Sequence, residues 1–395
     1  MGGRAETDPA ADAIDPAPTP ERTTVLRRPP TVGPLRTTDE EPADGPLRVA
    51  VVAPPWLELP PDAYGGVESV CSDLVDALVD RGVEVTLLGP GRHGTTAAFR
   101  PTGPVADPRG MGRALPEVEQ AARLPGLLAD LAVDVVHDHT LAGPLVGAAH
   151  GLPTVVTAHG PVHGEMGAYY RTLSARASLV ALSRAQREQL PSARWAATVP
   201  NGVRPDRFPF RAAKGEYAVF LGRMSPDKGP VWAIEAARAA GVPLLIAAKC
   251  REDAEVQYFE HAVAPLLGGD VEWIGEVGGR RKVELLADAR CLLFPIDWEE
   301  PFGLVMIEAM ACGTPVVALR RGAVPEVVEH GRTGWVCDRP SELAVALLRT
   351  HELDPGACRA LVEDRFSAAA LAAGYERVYR RIAAAARPVV SRPAS

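Results

Sequence analysis

Apolar runs and helix-periodic segments alternate along most of the chain. Residues 47–53 form an apolar run broken only by Arg48, which is typical of a strand buried in a parallel sheet. After a loop rich in proline and glycine, residues 67–81 carry apolar side chains at helical spacing until Gly82 ends the pattern. Further strands are predicted at residues 83–88, 134–137, 153–157 and 177–182. This alternation predicts right-handed βαβ units around a parallel sheet.

The alternation pauses in a turn-rich stretch at residues 199–203 and then begins again. The second series of strands is predicted at residues 217–221, 243–247, 271–274, 291–294 and 315–318. We therefore expect an α/β protein of two doubly wound, Rossmann-like domains that face each other across a cleft, with ligands at the carboxyl ends of the strands. The predicted domains are residues 47–200 and 201–365. A closing helix within residues 366–390 is expected to pack back toward the first domain.

Composition limits the class of partner. Residues 1–46 contain few large apolar side chains, which predicts a disordered tail. The formal net charge of −8 argues against nucleic acid and against an anionic membrane as the main partner. The chain has no apolar run long enough to span a bilayer, no signal-peptide pattern, and six cysteines without metal-ligand spacing. These features predict a cytoplasmic protein with reduced thiols, and they leave its oligomeric state open.

Lysine is rare in this chain, which makes each lysine informative. There are 38 arginines and only four lysines. A basic position that either residue would fill is therefore nearly always arginine, and a lysine marks a place where a compact ammonium is needed instead of a planar guanidinium. The four are Lys214, Lys228, Lys249 and Lys282.

The first candidate site follows the strand at residues 217–221. Gly222 lets the backbone approach a ligand closely, and Arg223 and Lys228 place two cations on the loop that leaves the strand. A diphosphate fits such a loop at a strand end. The spacing is not that of a Walker A loop. The alternative is a solvated basic loop, and the presence of a lysine disfavours it.

The second candidate site is the segment from Glu300 to Glu308. A helix is predicted to begin near residues 302–304, and Gly313 ends it. The unpaired N–H groups of its first turn, together with the helix dipole, favour a phosphate. Glu308 lies one turn beyond Leu304 on the same face, where it can accept hydrogen bonds from a ribose, and Glu300 can reach toward a sugar. The alternative, in which both carboxylates only cap and solubilise the helix, is disfavoured.

Residues 300–317 closely resemble the E-x7-E signature of the family-4 retaining glycosyltransferases of GT-B fold. Other stretches similar to that family are residues 200–203, 222–229, 331–335 and 365–367. The resemblance extends over about residues 47–382. It is specific for the fold and the class of reaction, and it says little about the substrate. Residues 53–56 and 64–68 look like those of bacterial relatives described as pterin or natural-product glucosyltransferases.

The resemblance implies donor-binding roles in the second domain. Arg223 and Lys228 would bind the diphosphate and neutralise it as it leaves. Glu300 would hold a sugar hydroxyl, and Glu308 the ribose. Val277 is similar to the position that lies along the nucleotide base. The remaining implied donor contacts in this domain are Gly222 and the N–H groups of Phe302, Gly303 and Leu304.

Two further donor contacts are implied in the first domain. Gly65 and Gly66 resemble the family's glycine loop, and His159 resembles the histidine that faces the donor sugar. His159 is therefore counted with Arg223, Lys228 and Glu300 as a catalytic residue.

Lys249, in the second domain, departs from the family, which often carries glycine there, and we predict that it contacts the donor.

A reaction follows from these assignments. The resemblance implies retention of configuration, and without a clear second nucleophile we expect front-face displacement assisted by the leaving phosphate. Cations replace a divalent metal, so no metal and no cofactor beyond the nucleotide sugar, most simply UDP-glucose, is expected.

The first domain holds twelve arginines, no lysine and fifteen acidic residues between residues 47 and 198, which favours a small soluble acceptor over a membrane lipid. The alternatives are a GT-B nucleotide-sugar epimerase or hydrolase, and a non-catalytic binding protein that the intact motif residues disfavour.

Three other groups of residues have two interpretations each. His137, His139 and the pair His159 and His163 have metal-like spacing, but their place at strand ends favours lining of the cleft. A second group, Met166 with Tyr169 and Tyr170, either lines the acceptor side or packs a loop. The basic pair at residues 280–281 is expected on a solvated helix face.

Overall fold

A computed structural model of the protein describes residues 45–61, 65–107 and 110–386. Most of the predicted tail, Tyr64 of the glycine loop and residues 387–390 of the C-terminal segment lie outside these ranges. Within them, no helix is long and apolar enough to span a membrane.

The first sheet has seven parallel strands in the order β3-β2-β1-β4-β5-β6-β7. The central strands are almost entirely apolar because both faces of the sheet are covered. The chain order reverses between β1 and β4, so their carboxyl ends open a crevice. The strands are β1 Arg48–Val52, β2 Glu84–Pro90, β3 Ala98–Gly103, β4 Val135–Asp138, β5 Thr154–Thr157, β6 Ser178–Ala181 and β7 Trp195–Thr198.

The second sheet has six parallel strands in the order β10-β9-β8-β11-β12-β13. Its chain order reverses between β8 and β11, which opens a second crevice at their carboxyl ends. The strands are β8 Ala218–Arg223, β9 Leu244–Lys249, β10 Val271–Gly275, β11 Cys291–Phe294, β12 Val316–Leu319 and β13 Gly334–Cys337.

Helices connect the strands and cover both sheets, so the predicted pair of Rossmann-like α/β domains is confirmed. The first-domain helices are α1 Gly66–Asp80, α2 Ala114–Ala129, α3 Gly147–His150, α4 Gly164–Leu173 and α5 Arg184–Gln189. The later helices are α6 Pro230–Ala240, α7 Asp253–Tyr258, α8 Gly279–Asp288, α9 Leu304–Ala311, α10 Val324–Val327, α11 Leu343–Leu348, α12 Pro355–Arg365 and α13 Ala368–Ala386.

The C-terminal helix α13 belongs to the core of the first domain. Leu371, Tyr375 and Tyr379 are buried in the same apolar cluster as Val51 of β1 and Leu74 of α1. The chain returns to the first domain beside the interdomain linker, where the N–H of Val203 donates to the carbonyl of Phe366 and the N–H of Ala368 donates to the carbonyl of Val203.

Three strands are absent from the sequence-based prediction: β3, β7 and β13. Each of them lies at an edge of its sheet. An edge strand is covered on fewer sides, so its sequence needs fewer apolar residues, and Pro101 within β3 is tolerated there. The apolar pattern is therefore weak at β3 and β7, whereas β13 is mostly buried and does not follow this explanation.

Candidate active site

The second-domain residues that the sequence singled out come together at one edge of the sheet. They follow β8, β9, β10 and β11, which are neighbours, and the carboxyl ends of parallel strands share an edge. Arg223, the last residue of β8, lies directly opposite Lys249, the last residue of β9. The strand order thus brings these residues to one edge of the second sheet.

Lys228 is held by a turn that packs tightly on the opposite loop. Residues Pro226–Lys228 form a 3-10 turn, and Gly229 follows with a φ of 72°. A Cβ on Gly229 would collide with the carbonyl oxygen of Pro295, the residue after β11. The N–H of Asp297 also donates to the carbonyl of Asp227 at 2.8 Å. Glycine is therefore required here, and it fixes Lys228 against the loop that carries Glu300.

Lys228 and Glu300 form a shielded ion pair. The Lys228 Nζ lies 2.9 Å from the Glu300 Oε2, and the two side chains are only 16% and 11% exposed. The indole Nε1 of Trp298 donates to the same carboxylate oxygen at 3.1 Å, and the Lys228 Nζ lies 4.5 Å from the centre of the Trp298 ring. An ammonium has three donors, and Glu300 uses one. The pair is thus able to present a cation to a phosphate while the carboxylate stays oriented.

The backbone of Glu300 is fixed from the far side by the loop after β12. The N–H of Ala323 donates to the carbonyl of Glu300 at 2.9 Å, and the N–H of Gly322 donates to the carboxylate of Glu299 at 2.7 Å. Gly322 has a φ of 49°, and a Cβ there would collide with the backbone of Glu300. The position of Glu300 is therefore set by these backbone contacts and does not depend on what its side chain contacts.

Helix α9 begins at Leu304, as the sequence predicts, and its first turn faces the junction of the two domains. Gly303 precedes it with a φ of 82°, and a Cβ there would lie 2.6 Å from Cε of Met306. Among the described residues, the N–H groups of Phe302, Gly303 and Leu304 make no hydrogen bond. The side chain of Leu304 packs against the cores of both domains. These donors are therefore available to a ligand at the domain junction.

Glu308 also pairs with a lysine. The Lys282 Nζ in α8 lies 2.7 Å from the Glu308 Oε1, and the Glu308 side chain is only 7% exposed. Sequence reasoning did not assign Lys282 to the site. Its rarity as a lysine was the available signal, but the partner lies 26 residues further along the chain. The two motif glutamates thus have one lysine each.

Three other predicted donor contacts occupy the same edge with different partners. Arg223 forms a long contact of 3.4 Å with Asp227. Lys249 is engaged by two carboxylates, at 2.8 Å from Glu252 and 3.7 Å from Glu255. Val277 lies buried beyond the end of β10. Their contacts with a donor stay predictions.

The glycine loop of the first domain enters α1. A Cβ on Gly65 would lie 2.7 Å from Cδ1 of Leu57 and 3.0 Å from Pro61, so a larger residue here would require Leu57 to move. Gly66 is exposed, begins α1 and has open space around it. The space at Gly66 is what a ligand approaching the N-terminus of α1 requires.

His159 follows β5 and is paired with another histidine. Its Nε2 lies 2.8 Å from Nδ1 of His139, which follows the neighbouring strand β4. Burial lowers the pKa of His159 to about 4 and lowers the pKa of His139 well below its ordinary value, so both rings are neutral near pH 7. No group of three or more His, Cys, Asp or Glu side chains among the described residues is arranged to hold a metal ion.

The two tyrosines of α4 in the first domain differ in their surroundings. Tyr170 is 2% exposed and belongs to an apolar cluster, so it packs the domain. Tyr169 is partly buried, and its hydroxyl donates to the carbonyl of Leu141 at 2.5 Å, which ties α4 to the loop after β4. At the other domain, Arg280 is largely exposed and pairs with Glu284, as expected for a solvated helix face.

Comparison with known families agrees with the geometry. Two Rossmann-like domains, with cations and the N-terminus of α9 at one sheet edge of the second, have the arrangement of a GT-B glycosyltransferase. Residues 64–207 match the family described as Glycosyltransferase Family 4, and residues 204–366 match the family described as Glycosyl transferases group 1. The chain belongs to the family-4 glycosyltransferases of GT-B fold.

Several characterised relatives and solved structures are similar over most of the chain. The alpha-maltose-1-phosphate synthase of Mycobacterium tuberculosis (strain ATCC 25618 / H37Rv) is 32% identical over 343 residues, covering 73% of this chain and 84% of that protein. A glycosyltransferase involved in avilamycin A biosynthesis is 29% identical with a TM-score of 0.67, covering 86% of this chain and 98% of that one. HepE of Anabaena, solved with UDP-glucose, shares the fold at 18% identity and a TM-score of 0.66, covering 86% and 100%.

Proposed function

We propose that this glycosyltransferase is a metal-independent, retaining hexosyltransferase that moves glucose from UDP-glucose to a small soluble acceptor such as a pterin or a natural product. The observation that carries the proposal is the shielded pair of Lys228 and Glu300 beside the open first turn of α9. This arrangement offers a cation to the leaving diphosphate and an oriented carboxylate to the sugar.

The proposed reaction assigns one task to each group. Arg223, Lys228 and the N–H groups at the start of α9 stabilise charge on the departing diphosphate, the role that a divalent metal has in other enzymes. Glu300 accepts a hydrogen bond from a sugar hydroxyl, and Glu308 accepts from the ribose. The acceptor hydroxyl attacks the anomeric carbon from the face that the diphosphate leaves, and its proton passes to a phosphate oxygen. The sugar therefore keeps its configuration.

The relatives support the choice of product and substrates. The Mycobacterium tuberculosis relative is named for an α-linked product, and transfer from an α-linked nucleotide sugar to an α-linked product is retention. A protein of the same fold was solved with UDP-glucose, which makes this donor the first to test. The relative from avilamycin A biosynthesis favours a natural-product acceptor. No resident cofactor is proposed, and the six free cysteines support a reducing, cytoplasmic location.

The charge on the leaving group is tested by Lys228→Ala. We expect turnover to fall by roughly 10²–10³-fold, because a donor aimed at developing charge contributes about this much. Arg280→Ala, which removes an exposed cation with a solvated partner, is the matched control and is expected to leave turnover unchanged. Near-normal turnover of Lys228→Ala would sink the assignment.

The ribose role is tested by Glu308→Gln. This variant keeps the shape of the side chain and removes its charge, so affinity for free UDP is expected to fall while the fold is retained. Titration calorimetry with UDP measures the change. An unchanged affinity for free nucleotide would contradict the ribose contact.

A thermal-shift screen of nucleoside diphosphates and their sugars tests the donor, because a ligand that binds the folded state raises its apparent stability. UDP-glucose is expected to give the largest shift. Incubation with the donor alone separates transfer from isomerisation and hydrolysis. If the sugar is released or epimerised without an acceptor as fast as it is transferred, the protein is a hydrolase or an epimerase and not a transferase.

A further inference from the structure

A buried histidine, His139, holds one side of the His159 ring. Its Nδ1 is 2.8 Å from Nε2 of His159, so a single hydrogen atom lies between two nitrogens. The other nitrogen of His139, Nε2, is inaccessible to solvent and makes no hydrogen bond within the described part of the chain. The other nitrogen of His159, Nδ1, belongs to a partly exposed ring and makes no hydrogen bond there either.

The ring of His139 packs against that of His137, which is itself hydrogen-bonded on both sides. The ring of His137 lies 3.9 Å from the ring of His139, measured between centroids. Both nitrogens of His137 are engaged, at 2.6 Å from the Tyr379 hydroxyl and 2.8 Å from the Thr157 hydroxyl. The Tyr375 hydroxyl lies 2.6 Å from that of Thr157. Two tyrosines of the C-terminal helix therefore hold His137, and the ring of His139 packs on that of His137. We call the rings of His137, His139 and His159 the histidine stack.

Two proton arrangements satisfy the bond between the neutral rings. If His159 donates from Nε2, the hydrogen of His139 must sit on its Nε2, where a buried N–H has no acceptor. If His139 donates from Nδ1, only a lone pair is left buried at its Nε2. Buried N–H groups without an acceptor are rarer in proteins than under-used acceptors. The second arrangement is therefore favoured, and it places the hydrogen of His159 on Nδ1.

We propose that His139 is a positioning residue that fixes His159 as the Nδ1–H tautomer, so that His159 offers a hydrogen-bond donor to an oxygen of the donor sugar. This inference rests on the proposed function, because it takes the sugar subsite to lie at His159. A neutral ring with its hydrogen on the open side donates to a hydroxyl oxygen and does not accept a proton from the acceptor. His159 is then a sugar-binding donor, and the proton of the acceptor leaves by the phosphate.

The tautomer is measured directly on the whole protein labelled with ¹⁵N-histidine. Long-range ¹H–¹⁵N correlation spectra distinguish Nδ1–H from Nε2–H rings, and the His159 signals are assigned by their loss in His159→Leu. Wild-type protein is expected to show His159 as Nδ1–H. In His139→Leu the donor is gone and no partner fixes the ring, so the Nδ1–H fraction of His159 is expected to fall and the Nε2–H form is expected to appear beside it. In His139→Asn an amide N–H replaces the imidazole donor, and the Nδ1–H form is expected to return.

Kinetics supply a second readout. In His139→Leu the KM for UDP-glucose is expected to rise roughly three- to tenfold, the value of one neutral hydrogen bond, while the affinity for UDP without sugar stays constant. His351→Leu, an exposed histidine of the second domain, is the control. A wild-type His159 in the Nε2–H form overturns the proposal, even where His139→Leu fails to fold. If the tautomers are as expected but UDP-glucose is not a substrate, the proposed function fails and the tautomer assignment stands.

Discussion

At the scale of single residues, the site is organised by two lysine–glutamate pairs. Lys228 was predictable because it lies in the recognisable segment 222–229 after a strand, and the rarity of lysine in this arginine-rich chain supported the choice. The same rarity applied to Lys282, but nothing in the sequence shows that α8 turns this side chain toward Glu308. Packing of α8 on α9 creates that contact. Residue types are thus predictable from the sequence, and partners that lie on different helices are not.

The second pair gives a prediction at this scale. Lys282→Met leaves the buried carboxylate of Glu308 without its cation, and we expect the free energy of unfolding to fall by about 3 kcal/mol. Urea denaturation measures it. Arg280→Met, two residues earlier in the same helix, breaks an exposed pair with Glu284 and is expected to cost below about 0.5 kcal/mol. Equal costs for the two variants would mean that the Glu308 pair is screened by solvent.

At the scale of elements, the sequence predicts what is buried on both faces. The central strands and α9 lie within a residue or two of their predicted ends, because their apolar runs are bounded by glycine and proline. The edge strands β3 and β7 were missed because they are only partly buried, whereas β13 is mostly buried and partial burial does not explain its absence from the prediction. The N-terminus of α9 depends on Gly303, whose φ of 82° and contact with Met306 leave no room for a side chain.

Gly303→Ala tests whether that turn positions the site. A side chain in the left-handed region costs roughly 1–2 kcal/mol, and displacement of Met306 also shifts the first turn of α9. We expect lower stability and a large loss of turnover. Gly241→Ala is the matched control, since Gly241 ends α6 with a φ of 66° and has nothing within 4 Å of a Cβ. The control is expected to lose similar stability and keep its turnover. Full activity in Gly303→Ala would show that the turn does not position the donor.

At the scale of the whole molecule, the contacts between the domains could not be predicted from the sequence. The carboxylate of Glu326 in α10 accepts hydrogen bonds from the N–H groups of Arg184 and Ala185, at 3.0 and 2.8 Å, and so caps α5 of the first domain. Helix α13 completes the first-domain core from the far end of the chain. Such pairings join residues more than 140 positions apart, and no local pattern encodes them.

The histidine stack gives the molecule a pH dependence that follows from its burial. Burial lowers the pKa of His137 and His139 well below the ordinary value and that of His159 to about 4. As pH falls from 6.5, the unfolded chain binds protons that the folded stack refuses, so stability falls. Burial raises the pKa of Asp73 to about 6 and that of Asp138 to about 7, and these carboxyls act in the opposite direction.

Because these contributions oppose one another, the informative measurement is a difference between two proteins. His139→Asn removes one buried histidine and leaves both aspartates. At pH 5.5 an ordinary histidine of the unfolded chain is about nine-tenths protonated, so each refused proton changes stability by about 1.2 kcal/mol per pH unit. Urea denaturation at pH 5, 6 and 7 is therefore expected to show the variant gaining on the wild type by about this amount between pH 6 and pH 5. Parallel curves would mean that His139 takes up its proton in the folded state, and that the stack is open to water.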